Sequence, residues 1–346
     1  MTLNAARHVA VLQPLPGIGD MIWHLPHIRA IAEHVGAPIT LIAKPRSAAD
    51  QLLRAEQAVR GVMWLDRNPD RRRGKHDGPL GLQRFVRELK LRHFEAIYLL
   101  HHSRTLALAA KTAGIPARFG YGYRLQRLSL NRPPFLPASV LRLHPHEQAT
   151  RWLAAAAIPL EDPEPRLAIE AQARARMVHW IGARPVVAIG IGSSEPYKQW
   201  GAERFASLAA GLIASGWSSL VLIGGKAESG LANDIVARLG EQSGCVRLAI
   251  GWDLCELAAL LAGSAFYVGN DTGVLNLAAA VGTASYGLFG ATPPLLHSRH
   301  IVPITQPGGI DMKEGMARIT LRAVLAAITK KAPTALLETA IGSSEI

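Results

Sequence analysis

Four glycine-containing loops in this chain carry residues whose types and spacing suit a phosphorylated ligand. The first is Pro16-Gly17-Ile18-Gly19-Asp20, where two glycines let the backbone turn tightly and approach a ligand closely. Asp20 either caps the following helix or faces a ligand cleft. The second is Gly190-Ile191-Gly192-Ser193-Ser194-Glu195-Pro196-Tyr197-Lys198-Gln199-Trp200. Its small residues expose N–H groups and hydroxyls to phosphate oxygens, and Lys198 adds a mobile positive charge suited to a diphosphate that leaves as an anion. The third is Gly269-Asn270-Asp271-Thr272-Gly273, a strand-to-helix joint. There the N–H groups of Thr272 and Gly273, with the helix dipole behind them, suit phosphate, and the Asp271 carboxylate suits sugar or ribose hydroxyls. The fourth is Gly287-Leu288-Phe289-Gly290-Ala291-Thr292-Pro293-Pro294. Plain N-capping is the alternative reading of Asp20 and Asp271, and a solvated side chain that of Lys198.

Other chemistries fit less well. A dinucleotide fingerprint needs a third glycine where Ile22 stands, and Gly224-Gly225-Lys226 runs into Ala227 without Walker spacing. Cys245 and Cys255 fit neither a disulfide framework nor a paired-cysteine metal site, and read as small buried thiols. His101 and His102 follow a strand and line a cleft, but no carboxylate or third histidine is spaced to complete a metal site. No metal and no cofactor is expected.

The elements that must position these loops alternate along the chain. Strand-like runs at 8–15, 37–44, 61–66 and 95–101 alternate with helical segments at 20–35 and 48–59. That rhythm predicts a parallel, doubly wound α/β sheet. A proline-rich stretch, 131–166, contains one clear helix and suits an interdomain connection. A second cycle opens at 184–192 and continues through 201–215, 218–225, 254–264, 265–271, 274–282 and 284–290, with a last helix at 320–331. The expected architecture is two Rossmann-like domains, 1–165 and 166–346, with parallel sheets facing a central cleft and a flexible tail over the last ~15 residues. Ligands of such sheets sit beyond the carboxyl ends of the strands, where all four loops fall.

The chain has 346 residues, of which 49% are hydrophobic, and a formal charge of +12. That composition indicates a folded protein attracted to polyanions. No nucleic-acid-binding motif is present, so no nucleic-acid partner is expected. No run is long enough to span a membrane, and the first residues read as a strand with no basic leader, so the expected location is the cytoplasm. Arg67, Arg71, Arg72, Arg73 and Lys75 form a basic, flexible segment whose guanidinium groups suit phosphate or carboxylate. Arg118, with Arg124 and Arg127, makes a second such patch. Trp252 suits stacking on a base or ordinary core packing.

Taken in order, these motifs resemble the lipopolysaccharide heptosyltransferases, glycosyltransferase family 9, whose fold is GT-B. The resemblance rests on Gly19-Asp20-Met21-Ile22 with Leu25-Pro26, on Lys198 and Trp200, on Asn270-Asp271-Thr272-Gly273 with Leu277-Ala278-Ala279-Ala280, on Gly290-Ala291-Thr292-Pro293-Pro294 and on Ile319-Thr320. It implies an inverting, metal-independent glycosyltransferase moving heptose or a related sugar from an ADP-sugar to a lipopolysaccharide inner-core acceptor. Asp20 would be the general base and Lys198 would neutralise the leaving diphosphate. Gly19, Ser193, Ser194, Trp252, Asp271, Thr272, Gly273 and Asn276 would hold the donor, and Arg67, Arg71, Arg72, Arg73, Lys75 and Arg118 the anionic glycolipid. Contact with the cytoplasmic face of the inner membrane would be peripheral. One position departs from the family: Asn276 stands where histidine is usual, and a non-catalytic or differently specific sugar-nucleotide-binding paralogue is the alternative reading. An oxidoreductase or epimerase on the same architecture is a further alternative.

Overall fold

The computed structural model describes residues 8–69, 72–294, 297–306 and 308–331. The chain divides into two compact units, Met1–Ala168 and Ile169–Ile346.

The first unit is built on five parallel strands, β1 (Val9–Gln13), β2 (Ile39–Ala43), β3 (Val59–Trp64), β4 (Ala96–Leu99) and β5 (Ala117–Gly120), in the order β3-β2-β1-β4-β5. Alternation along the strands separates two buried faces. Ala10, Leu12, Ile97 and Leu99 pack with Phe85 and Leu89 of α3 (Gly78–Leu91) and Leu106 of α4 (Arg104–Thr112). On the other face Tyr98 stacks on Phe119 at 4.4 Å, and both meet the edge of Trp152 from α5 (Pro145–Ala155). Helix α5 lies against α1 (Ile18–Val35).

Two expectations need correction here. The helix expected over 48–59 shortens to α2 (Ala49–Leu52). Glu56 instead accepts from Arg29 Nε at 3.1 Å and from the Ala58 N–H at 3.2 Å, which turns the chain directly into β3. The stretch 131–166, expected as an interdomain connection, belongs to the first unit and carries α5. Trp152 is buried and its indole N–H is shared between the carbonyls of Gly120 (3.0 Å) and Pro134 (3.2 Å), fastening the segment to β5.

The second unit carries six parallel strands, β6 (Val186–Gly190), β7 (Leu220–Gly224), β8 (Val246–Ile250), β9 (Ser264–Asn270), β10 (Ser285–Phe289) and β11 (Ile301–Thr305), in the order β11-β10-β9-β6-β7-β8. Around them lie α6 (Ala171–Ile181), α7 (Ala202–Ala214), α8 (Ser229–Leu239), α9 (Leu254–Ala262), α10 (Gly273–Ala280), α11 (Gly315–Arg318) and α12 (Leu321–Lys331). Among these, α6, α8, α11, β8 and β11 have no counterpart in the sequence reading. The edge strand β8 has only Ala249 buried, so it lacks the apolar run that marks the inner strands. The residues expected to form a tail, 332–346, lie outside the described ones.

Trp200 ties this unit together. It is fully buried, packs edge-on against Phe205 of α7 at 5.2 Å, and donates its indole N–H to the Ile319 carbonyl at 2.9 Å. Replacing it with Ala should cost about 3–5 kcal/mol through the cavity left behind. Trp200→Phe keeps much of the volume but strands the Ile319 carbonyl, and should cost about 1–3 kcal/mol. Urea unfolding of both variants checks the order; equal losses would mean that the hydrogen bond contributes nothing.

Candidate functional site

In an open parallel sheet the strand order reverses at one point, and the loops there diverge to leave a crevice. In the second unit that point lies between β6 and β9, and three of the four sequence loops leave the sheet at β6, β9 and β10. Gly190 and Gly269 lie side by side in the register there. A Cβ on Gly190 would fall 1.8 Å from the Tyr267 hydroxyl, so glycine is required for the strands to close over that side chain.

The chemistry gathers on Asp271. Its Oδ2 accepts from Lys198 Nζ at 2.7 Å and from Thr292 Oγ1 at 2.7 Å, bringing the ends of β6, β9 and β10 to one oxygen. The ammonium and the carboxylate are both mostly buried, with 17% and 16% of their side-chain surface exposed. A lysine has three donors, so the pairing orients the head group and leaves N–H bonds for a ligand. Thr292 belonged to a recognised loop but was not singled out among the site residues; the threonine in its G-x-T-x-P turn was the available signal.

Beside this trio, α10 begins with Thr272 as its N-cap, so Asp271 is not the cap. The Thr272 side chain makes no capping hydrogen bond, which keeps the N–H groups of the first turn available to an anion. Asn276 is buried and turns inward, its Nδ2 donating to the Thr272 carbonyl one turn back at 3.2 Å. Ser193 Oγ donates to the Glu195 carbonyl at 2.6 Å and shapes the loop, while Ser194 stands exposed. Glu228, unremarked in the sequence, accepts from the Gly225 N–H at 2.8 Å and approaches Gly192. It adds a second carboxylate to these strand ends. Trp252 follows the edge strand β8 and packs edge-on against Trp180 at 5.0 Å, with the Arg247 guanidinium 3.9 Å over the Trp180 ring.

In the first unit the reversal lies between β1 and β4. Gly19 and Asp20 prove to be helical, since α1 starts at Ile18 with Gly17 as N-cap. Asp20 is the third helical residue and its Oδ2 accepts from the Gly17 N–H at 3.1 Å. A Cβ on Gly17 would sit 2.7 Å from that oxygen, so the glycine is what lets the carboxylate fold back. One turn on, His24 Nδ1 meets the Asp20 carbonyl at 2.7 Å. Across the reversal, His101 and His102 stack at 4.4 Å after β4. Together with Arg104, Tyr123, Arg124 and Leu125 they line a cavity of about 460 Å³.

The two basic patches differ. Arg67 lies 3.6 Å from Asp77, and Lys75 lies 3.7 Å from Glu88. Arg72 and Arg73 are exposed, and Arg71 lies outside the described residues. Asp77 Oδ2 accepts from the N–H groups of Asn68 (2.6 Å) and Gly74 (2.8 Å). Arg118 donates from Nε to the Ser129 carbonyl at 2.7 Å and from Nη1 to the Ile115 carbonyl at 2.5 Å. Its guanidinium acts as a clamp on the backbone, and Arg104 and Arg124 are the cations that line the cavity.

Cys255 is buried and Cys245 half-buried, both as free thiols. Among the described residues no group of three histidine, cysteine or acidic side chains is arranged to hold a metal ion. No described helix is long and apolar enough to cross a membrane.

Two doubly wound parallel units, each with polar loops at its strand-order reversal, make this a GT-B fold. Residues 82–306 match the model of glycosyltransferase family 9 (heptosyltransferase), and the chain belongs to that family. Lipopolysaccharide heptosyltransferase 2 of Escherichia coli strain K12 is 28% identical over 235 residues, covering 62% of this chain and 66% of that protein. Lipooligosaccharide heptosyltransferase 2 of Haemophilus influenzae is 30% identical over 143 residues, covering 39% and 41%. These alignments thus span less than two thirds of the curated relatives' own length. Among solved structures, E. coli ADP-heptose LPS heptosyltransferase II superposes with a TM-score of 0.73 at 22% identity, covering 96% of this chain and 99% of that one. The family 9 glycosyl transferase from Veillonella parvula gives 0.77 at 19%, covering 98% and 99%. E. coli heptosyltransferase WaaC with ADP-2-deoxy-2-fluoro heptose gives 0.71 at 19%, covering 94% and 100%. At these identities the superpositions establish the fold.

The histidines make the first unit sensitive to acid. Burial holds His24 and His27 below the usual imidazole range and brings His101 down to about 4. As pH falls from about 6.5 towards 4 the unfolded chain takes up protons that the folded unit refuses, so stability falls. For His101 the loss should be on the order of 2 kcal/mol. Urea midpoints between pH 7 and pH 4.5 should drop, and His101→Gln should flatten part of that slope; a slope unchanged by the substitution would remove His101 from this account.

Proposed function

We propose that this chain is an inverting, metal-independent glycosyltransferase that moves a heptose or related sugar from an ADP-linked donor to an anionic, lipopolysaccharide-type acceptor. The observation that carries the donor half is the Lys198–Asp271–Thr292 cluster beside the open N-terminus of α10. A sugar diphosphate leaves with an extra negative charge, and a transferase without a metal needs fixed donors aimed where that charge grows. Lys198, oriented by Asp271, and the N–H groups of Thr272 and Gly273 supply them. The Asp271 and Glu228 carboxylates suit sugar and ribose hydroxyls, Ser193 and Ser194 border the loop after β6, and Trp252 offers an indole to the base.

The first unit would take the acceptor. Asp20 is the base for the acceptor hydroxyl, held by the Gly17 N–H at the start of α1. Arg104 and Arg124 in the His101–His102 cavity, with Arg67, Arg72, Arg73 and Lys75 on the loop after β3, suit its phosphates and acidic sugars. Charge distribution supports this division. Met1–Ala168 holds 24 basic against 13 acidic residues, whereas Ile169–Ile346 holds 14 against 13. The family membership and the heptosyltransferase names of the relatives support the same reading. The alternative, a non-catalytic sugar-nucleotide-binding paralogue, rests on Asn276. That side chain turns into its own helix, which leaves the Lys198–Asp271–Thr292 cluster undisturbed.

The test is ADP release from ADP-heptose in the presence of a lipid A–Kdo acceptor. Asp20→Asn should lower kcat by about 10²–10⁴, and Lys198→Ala by about 10²–10³. Thr292→Val, which removes one hydrogen bond to a charged group, should cost about tenfold. Donor binding without release in the wild type would favour the paralogue reading. Release that Asp20→Asn leaves intact would remove Asp20 as the base.

A further inference from the structure

Of the ten large hydrophobic side chains that stand exposed among the described residues, five lie on three adjoining elements of the first unit. On α3 the exposed positions Leu80, Arg84, Arg87 and Leu91 recur at helical spacing, opposite the buried Phe85 and Leu89. On α4 the outward stripe is Arg104, Leu108 and Lys111. The third element, the 3-10 turn Arg124–Ser129, is built inside out. Three residues per turn give it three rows. Arg124 and Arg127 form one exposed row and Leu125 and Leu128 another, 56% and 70% exposed, while the polar Gln126 and Ser129 are buried.

The inward place is filled by hydrogen bonds. Gln126 Oε1 accepts from the Gly122 and Tyr123 N–H groups at 2.9 and 3.3 Å, and its Nε2 donates to the His101 carbonyl at 2.7 Å. Arg118 holds the Ser129 carbonyl and Lys111 Nζ the Leu128 carbonyl at 3.0 Å, which fixes the leucine row outward. The charge around it has one sign: residues 96–146 contain seven arginines and lysines and no aspartate or glutamate.

We infer that the face formed by α3, α4 and the Arg124–Ser129 turn is a docking surface for an anionic phospholipid bilayer. The leucines enter the headgroup boundary and the flanking cations meet lipid phosphates. A polyanion such as nucleic acid would match the cations and leave the leucines unexplained. Leu125 also borders the His101–His102 cavity, so an acceptor held in the bilayer would present its sugars there. That corollary rests on the acceptor reading; the docking surface does not, and it is tested without acceptor.

Full-length protein is sedimented with phosphatidylethanolamine–phosphatidylglycerol vesicles and, in parallel, with phosphatidylcholine vesicles. Binding should be confined to the anionic vesicles and should weaken as salt is raised. Leu108→Ser with Leu128→Ser should lower the partition coefficient about tenfold per leucine, while Val178→Ser, exposed on the second unit, should leave it unchanged. A Leu128→Trp variant gives a second readout, because its added emission should be quenched by brominated anionic lipids. Equal binding of the double variant and wild type, equal binding to both vesicle types, or added indole emission that the brominated lipids leave unquenched overturns the proposal. So does a double variant that loses self-association in the ultracentrifuge while keeping its affinity for vesicles, which would make the face a contact between copies. ADP release plays no part in these measurements, so docking and transfer can fail separately.

Discussion

The buried amide of Asn270 is the interaction on which the Lys198–Asp271–Thr292 cluster depends. It is fully enclosed at the end of β9, and the two N–H bonds of its Nδ2 are shared among the carbonyls of Ile191 (3.2 Å) and Gly192 (3.0 Å) and Oε1 of Gln199 (3.1 Å), Ile191 also accepting from Gln199 Nε2 at 2.9 Å. Those three acceptors belong to the loop after β6, and an unpaired buried carbonyl costs as much as a lost hydrogen bond. The loop therefore cannot leave β9 cheaply. Lys198 precedes Gln199 and Asp271 follows Asn270, so one side-chain amide sets the spacing of the ion pair. The first unit solves the same problem with backbone groups, since the Gly17 N–H holds Asp20 and the Asp20 carbonyl holds His24.

Much of this was legible in the sequence. Strands whose side chains are buried on both faces, such as VAVLQ and VVAIG, read as continuous apolar runs, and glycine follows or precedes each reversal. The loops could be found because polar and small residues interrupt those runs at fixed places. What stayed hidden depends on partners far apart in the chain. The Lys198–Asp271 pair joins residues 73 positions apart, and no local pattern reveals it. The helix was expected to start at Asp20 because Gly17-Ile18-Gly19 looks like a loop; it starts two residues earlier, its first turn closed by Asp20 from within. Short and half-buried elements failed for another reason: β5 is the four residues ARFG and β8 has only one buried residue, so neither carries a period.

Arg118 shows the limit of reading function from charge alone. In sequence it is one more arginine in a basic stretch; in the fold its guanidinium meets two backbone carbonyls. Arg124, six residues on, looks equivalent by type, yet it lines a cavity and its guanidinium lies 5.0 Å from the centre of the Tyr123 ring. Burial and donor geometry separate a structural cation from one that can meet a ligand.

The two units consequently handle negative charge by different physics. In the second, a nearly balanced set of charges leaves little field at a distance, and the site relies on a helix N-terminus and an oriented ammonium, whose effects fade within a few ångströms. That suits placing a small anion accurately. The excess positive charge of the first unit acts over about a Debye length, roughly 8–10 Å at ordinary salt. A field of that range cannot place a single hydroxyl, but it can hold a large polyanionic surface near the protein. Short-range order there comes from hydrogen bonds such as Gly17 N–H to Asp20 Oδ2, while burial keeps His24 and His101 uncharged beside the strand ends. Long-range attraction and short-range positioning are thus carried by different residues, so either can change without undoing the other.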